Sequence, residues 1–229
     1  MEIEPIAYFH SPLSGKFGLP RQSGLASDLE GIVELCPRYR RKEALRGLEG
    51  FDYLWLIWGF HLNGGNPSQL TVRPPRLGGN KRIGVFASRS PFRPNQLGLS
   101  SVRILEVKAE KGLLIVSGAD LADLTPIYDI KPYVAYADAH PEARSGFVDS
   151  SGWESLESVV TSLIPTEKDT WDSMTEADRR AIRELILQDP RPAYHSDSSR
   201  TYHIIYKDKD IGFSINGAEA TISSIKDSH

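Results

Sequence analysis

A mainly β protein with a smaller α+β unit at its C-terminal end is the fold class predicted by this sequence of 229 residues. Three observations carry the prediction. Short runs rich in β-branched and aromatic residues, punctuated by Gly, Pro, Asn and Asp, fill the first 150 residues, as in a sandwich or a barrel. Apolar residues at helical spacing concentrate after that point. From Tyr53 to Leu105 the chain runs 53 residues without Asp or Glu while holding seven Arg or Lys, most of them among Pro, Gly and Asn rather than on a helical face.

In chain order, the candidate strands are Ile3–Phe9, Ile32–Leu35, Tyr53–Phe60, Leu70–Val72, Ile83–Ala87, Ser100–Val107, Leu113–Gly118 and Pro132–Ala137. Turn formers bound them. Tyr53–Phe60 is apolar at nearly every position and reads as a central strand buried on both faces, although period alone does not separate it from a buried helix. A short helix is expected near Tyr39–Arg46, where Ala44, Leu45 and Leu48 follow a basic cluster. Beyond residue 150, Ser151-Gly152-Trp153-Glu154 has the form of a capping box, which predicts a helix running to Ile164 and stopping at Pro165. Thr175-Glu176-Ala177-Asp178 opens a second helix, with Ala181, Ile182, Leu185 and Ile186 on one face and Pro190 as its end. Tyr202–Tyr206, Ile211–Ile215 and Ala220–Ile225 read as a meander, with Asn216-Gly217 as a tight-turn pair. The expected division is therefore 1–150 and 151–229.

Composition bounds the function. The net charge is −3, so subtracting the seven cations of the acid-free stretch leaves about −10 for the rest. A basic surface on an acidic body is the footprint of a protein that meets a polyanion. Arginine offers a fixed fork of donors that matches phosphate and carboxylate. The plainer reading is that each arginine pairs with an acid elsewhere and fixes a loop. No G-x-G-x-x-G follows a strand, and no P-loop, H-E-x-x-H or G-x-S-x-G is present, which speaks against dehydrogenases, P-loop enzymes and Rossmann methyltransferases. Cys36 is the sole cysteine, so neither an intrachain disulfide nor a cysteine zinc cluster is expected. No apolar run reaches the roughly 18 residues that span a bilayer, the start lacks signal-peptide character, and a reducing cytoplasm is the expected setting.

Six segments carry a resemblance. They are Pro20-Arg21-Gln22, Phe60-His61, Val72–Asn80, Gly84–Asn95, Asp129-Ile130-Lys131-Pro132-Tyr133 and Asp189-Pro190-Arg191-Pro192-Ala193-Tyr194. Together they resemble the TrmO family, also called YaeB-like or TsaA-like, across nearly the whole chain. The resemblance implies a β-barrel-like methyltransferase domain with a small α+β domain. It implies an S-adenosylmethionine-dependent homodimer that methylates N6 of threonylcarbamoyladenosine (t6A to m6t6A) at tRNA position 37, in the anticodon stem-loop. It further implies that Pro20, Arg21, Gln22, His61, Leu62, Arg89, Leu99, Asp120, Leu121, Ala122 and Asp123 contact the cofactor. No metal is implied.

Each of these residues has a plainer alternative. Asp120 and Asp123 suit turns at a strand end. His61 suits a satisfied core histidine, and Leu62 and Leu99 suit packing. Asp189 is the candidate proton acceptor, Tyr194 a candidate to stack on or bond the base, and Arg191 a candidate for the substrate's carboxylate or a phosphate. The same motif serves equally as a helix stop. Arg73, Arg76, Lys81, Arg82 and Arg93 are the expected tRNA-facing cations, and Phe92 or Tyr133 are candidates to stack on bases or to pack in the core. Two departures stand out. The family's Pro-Ile-Gly after Arg-Pro-Asn is here Gln96-Leu97-Gly98, and its Asp-Gly-Thr-Pro turn is Asp123-Leu124-Thr125-Pro126, where leucine lacks glycine's tolerance of positive φ.

Overall fold

The computed structural model describes residues 2–63, 70–74, 81–151, 160–191 and 197–228. Its first part contains β1 (Ala7–His10), β2 (Glu30–Leu35), α1 (Lys42–Leu45), β3 (Tyr53–Gly59), β4 (Thr71–Val72), β5 (Ile83–Gly84), β6 (Leu97–Lys108), β7 (Leu113–Ser117), β8 (Thr125–Pro132) and α2 (Ala135–Asp138). The second part holds β9 (Ser162–Pro165), α3 (Lys168–Ser173), α4 (Glu176–Leu187), β10 (Tyr202–Tyr206), β11 (Lys209–Asn216) and β12 (Glu219–Asp227).

Between sandwich and barrel, the structure is a closed barrel of six antiparallel strands, in the order β1-β2-β7-β6-β3-β8. Pairing of β1 with β8, Ala7 opposite Ile127 and Phe9 opposite Thr125, closes the ring. Alternate residues point inward. Phe9, Val33, Leu54, Leu56, Trp58, Val102, Leu114, Val116 and Ile127 fill the interior. Two large rings need glycine opposite them: a Cβ on Gly31 would collide with Phe9, and one on Gly98 with Trp58. Leu45 of α1 is buried in the same core.

Three expectations change here. Tyr53–Phe60 is a strand, but it is buried on one face only. Leu54, Leu56 and Trp58 point into the barrel, while Tyr53 is exposed and Trp55 and Ile57 are half-buried. The outward face stays apolar because Tyr133 packs on Tyr53 and Trp55, and the Trp55 indole N–H donates to Asp138 at 3.0 Å. Pro132–Ala137 is not a strand; the strand lies earlier, at Thr125–Pro132, and α2 follows. Pro126 and Pro132 sit within that strand at positions the pairing tolerates, which disguised it as a turn. Ser162–Pro165 is a strand rather than a helix end, paired parallel with β12. The rest of the predicted helix, with Glu154 of its capping box, lies at 152–159, outside the described residues.

The second helix forms as its spacing predicts. Thr175 caps α4 by accepting from the Asp178 N–H at 3.1 Å, and Ala181, Ile182, Leu185 and Ile186 are buried. They pack on the sheet β10-β11-β12-β9, beside Phe213, Ile215 and Ile222. The β11–β12 turn is Gly217-Ala218, with Gly217 at φ 58° and Asn216 still paired to Glu219. Leu13, Ala26 and Leu29, from the long β1–β2 connection, belong to this second core. That connection also binds α4: Ser27 and the Asp28 N–H both donate to Glu184 at 2.8 Å, and Arg180 pairs with Asp28 at 2.9 Å.

Both departures from the family pattern sit at left-handed backbone: Gln96 at φ 49° and Leu124 at φ 58°. Proline, fixed near −65°, does not fit the Gln96 conformation, and its ring would also remove the Gln96 N–H bond to the Arg93 carbonyl at 3.0 Å. Gln96→Pro is therefore expected to destabilise the fold by more than about 1 kcal/mol. Leu124→Gly should stabilise it by up to about 1 kcal/mol, the left-handed cost relieved less glycine's entropy. Urea unfolding of both variants checks the two signs.

Candidate active site at one barrel mouth

Because neighbouring strands alternate in direction, each barrel mouth collects fixed strand ends. One mouth is formed by the ends of β1, β3 and β7 and the starts of β2, β6 and β8. Three connections cross it: 11–29, 60–96 and 118–124. All the residues implied as cofactor contacts lie on these connections or at the adjoining strand ends.

A hydrogen-bonded line runs from the core to this mouth. The buried Trp58 indole N–H donates to the Ser100 hydroxyl at 2.9 Å, and Ser100 donates to Asp120 at 2.5 Å. Burial raises the Asp120 pKa above the ordinary aspartate value, while the Ser100 bond and the nearby Arg89 guanidinium oppose the shift. Arg89 itself is exposed and donates to the side-chain carbonyl of Gln22. Gln22, Arg89 and Asp120 therefore form one cluster. Beside them Gly24 donates to the Gly118 carbonyl at 2.8 Å, which fixes the 20–24 segment on the mouth.

A second group lies where β3 ends and β8 begins. The Thr125 hydroxyl donates to the Ala122 carbonyl at 2.7 Å and lies 3.4 Å from His61 Nδ1. His61 is exposed rather than a core histidine. Leu62 and Leu99 are also exposed, at 38% and 59%, so neither is a packing residue. Leu121, Ala122 and Pro20 are buried and offer backbone only. Asp123 is engaged locally, accepting from the Ser11 N–H at 3.0 Å and standing 3.7 Å from His10 Nδ1.

The C-terminal motif reaches the same mouth. Arg21 donates to the carbonyls of Asp189 and Arg191, at 2.7 and 3.1 Å. Asp189, at φ 48°, accepts two bonds from the Arg191 guanidinium, at 2.7 and 2.9 Å, and Arg191 also donates to the Ile215 carbonyl at 3.1 Å. Both carboxylate oxygens of Asp189 are thus occupied, a different use from the proton acceptor expected of it. Arg191 likewise has its fork filled by the chain itself. Tyr194 lies outside the described residues, as does Arg76. Arg73, Lys81 and Arg82 are exposed, and no ion pair joins them to a described residue. Arg93 fixes its own loop, but by donating to the Ser88 carbonyl at 3.1 Å rather than by pairing with an acid. Phe92 is exposed and Tyr133 half-buried.

Sequence reasoning missed Ser100, Trp58 and Thr125. The signal for Ser100 was its inward register, two residues from Gly98 and two from Val102 in an otherwise apolar series. An acid with a raised folded pKa binds its proton more tightly in the folded state. Its stabilisation is therefore full at low pH and is lost as pH rises from 3.8 through the elevated value. Asp120→Asn should accordingly melt at a higher temperature than the parent at neutral pH. The gap should close as pH falls toward 3.8, as thermal scans across pH will show.

The family model described as tRNA-methyltransferase O N-terminal domain matches residues 8–139, and that of the TrmO C-terminal domain matches 160–228. An Escherichia coli (strain K12) protein named tRNA (adenine(37)-N6)-methyltransferase is 37% identical over 221 residues, covering 95% of this chain and 94% of that protein. A Pseudomonas aeruginosa protein named "Putative S-adenosylmethionine-dependent methyltransferase RcsF" is 40% identical over 210 residues, covering 91% and 90%. A crystal structure of TrmO from Pseudomonas aeruginosa matches with a TM-score of 0.78 at 30% identity, over 99% of this chain and 98% of that one. With both of its parts matched in order and the barrel shared along its length, the chain belongs to the TrmO family.

Proposed function

We propose that this chain is an S-adenosylmethionine-dependent tRNA (adenine-N6)-methyltransferase, and that its substrate is threonylcarbamoyladenosine at position 37, beside the anticodon. The names of its relatives support the reaction and the cofactor. The observation in this chain that carries the reading is the polar cluster Gln22–Arg89–Asp120–Ser100 at a barrel mouth rimmed by exposed Leu62 and Leu99.

That donor set fits the cofactor. Its methionine carboxylate calls for a cationic fork, its ribose and ammonium for fixed acceptors, and its adenine for apolar cover. Arg89 is the fork, with Gln22 orienting it. Asp120 is the acceptor, held by Ser100 so that it does not rotate away. Leu62 and Leu99 cover the base, and His61 stands at the rim. The cofactor supplies an electrophilic methyl group, so the chain's own residues mainly bind and align. The target nitrogen belongs to a urea-like linkage and must lose a proton. Asp189 serves by holding Arg191 and its turn in place, and Tyr194 is the candidate to meet the base. Arg73, Lys81 and Arg82, all exposed, are the phosphate contacts for the anticodon stem-loop, and Arg76 is a further candidate by its sequence position.

The reading extends to a homodimer in the cytoplasm, with the two parts dividing near residue 150. Among the described residues no helix is long and apolar enough to cross a membrane. Exposed Leu70 and Phe86, at 63% and 75%, are apolar surface on the 60–96 connection that a second copy would cover.

Two measurements test this. Labelled methyl from S-adenosylmethionine is offered to tRNA with and without the threonylcarbamoyl group, and transfer is expected only with it. Cofactor binding without transfer to any tRNA would point instead to a non-catalytic binding module, and transfer to unmodified tRNA to a different substrate. Arg89→Ala should weaken cofactor binding about 10- to 100-fold, the range for a hydrogen bond to a charged group. Replacing Lys81 and Arg82 together with Ala should instead reduce the salt slope of tRNA binding by about 1 to 2.

A further inference from the structure

Ser100 points inward from β6, is 1% exposed, and its hydroxyl has two partners among the described residues. It accepts from the Trp58 indole Nε1–H at 2.9 Å and donates to Asp120 Oδ1 at 2.5 Å. An indole nitrogen only donates, so the first of these bonds has one possible direction. A hydroxyl carries a single proton. With the Trp58 N–H aimed at its oxygen and the group buried from solvent, Ser100 has one acceptor for that proton, the Asp120 carboxylate. The serine is thereby committed as a donor, and a committed donor calls for an ionised partner. Were Asp120 protonated on Oδ1, two protons would meet in one 2.5 Å contact.

The indole that imposes this direction is itself held. Trp58 pairs with Gly98 across the strands while Leu56 pairs with Ser100, so the ring lies over Gly98 and reaches along β6 to the hydroxyl. A Cβ at position 98 would stand 2.3 Å from the ring, and the Phe60 ring meets it edge-on at 4.3 Å between centroids. Rotation of the indole away from Ser100 would also leave a buried N–H without a partner. Asp120 is under the opposite pressure. Burial raises its pKa, while the Ser100 bond and the Arg89 charge oppose the rise.

We infer that Trp58 is a positioning residue for the cofactor site: its indole N–H directs the Ser100 hydroxyl and, through it, keeps Asp120 an ionised acceptor at the barrel mouth. Ser100 alone would hold Asp120 in either protonation state, because a free hydroxyl turns to donate or to accept. With Trp58 in place only the ionised state is held. A carboxylate that only accepts selects ligands that bring donors, and S-adenosylmethionine brings hydroxyls and an ammonium. Trp58 exerts this selection from the core, at 7% exposure.

The inference rests on the proposed cofactor, so its test keeps the two separable. Calorimetric binding of S-adenosylmethionine is followed across the acid and neutral range for the parent, Trp58→Phe, Ser100→Ala and the double variant. Protonation of Asp120 sets the acid limb of the profile. Ser100→Ala should weaken binding at neutral pH about 10- to 100-fold, as for a hydrogen bond to a charged group, and move the acid limb to higher pH. Trp58→Phe should weaken it about 3- to 10-fold, as for a neutral hydrogen bond, and move the limb the same way. In the Ser100→Ala background Trp58→Phe should move the limb no further, because the connecting hydroxyl is gone. In the parent, the Trp58 indole N–H resonance should titrate with the midpoint of the limb, and that titration should vanish in Asp120→Asn. An unmoved limb in Trp58→Phe, an equal further shift in the double variant, or an indole titration that persists in Asp120→Asn would overturn the inference. If Trp58→Phe does not fold, the indole titration of the parent and of Asp120→Asn decides alone. If the parent binds no S-adenosylmethionine, the proposed cofactor fails, and the same titration still decides whether Trp58 is coupled to Asp120.

Discussion

Closure of the barrel by β1 on β8 is the constraint on which the rest depends. Once the ring closes with six antiparallel strands, the ends of β3 and β7 and the starts of β6 and β8 must meet at one mouth. His61, Leu99 and the 120–125 segment are far apart in sequence, and closure gathers them. It also decides which face of each strand is wet. The outward residues of β3 keep their apolar character because Tyr133 and Asp138 cover Trp55 from outside.

Inside that ring the packing is set by two large rings facing two glycines, Phe9 over Gly31 and Trp58 over Gly98. The Trp58 placement has a chemical consequence. Its indole N–H needs a buried partner. Ser100 supplies one and passes a bond on to Asp120. The hydrophobic core and the polar mouth are therefore one connected structure. A carboxylate whose pKa is raised by burial stays in place because the core holds the hydroxyl that binds it.

The long β1–β2 connection joins the barrel to the C-terminal part. Its apolar residues Leu13, Ala26 and Leu29 are buried among the side chains of α4 and the second sheet. Its polar residues bond both the Gln22–Arg89–Asp120 cluster at the mouth and the turn after α4. The acid-free stretch divides by the same geometry. Arg89 joins the mouth cluster, Arg93 ties its own loop, and Arg73, Lys81 and Arg82 stand in solvent.

Local chemistry was legible in the amino acids. Thr175 capped a helix whose apolar spacing named its buried face in advance, and the meander residues paired as their alternation required. The motif residues also named the family and the chemistry to look for. The strand Thr125–Pro132 was hidden because its two prolines mimic turn signals, and only the pairing with β1 and β3 shows that they are tolerated. Likewise no spacing rule links Ser100 to Asp120 or Arg21 to Asp189, because those bonds join positions 20 and 168 residues apart. Amino-acid chemistry alone sets which segments form helices and strands and which residue types are at hand. The tertiary structure decided which of them meet and which are spent on one another, because a hydrogen bond is fixed by distance in space and not by distance along the chain.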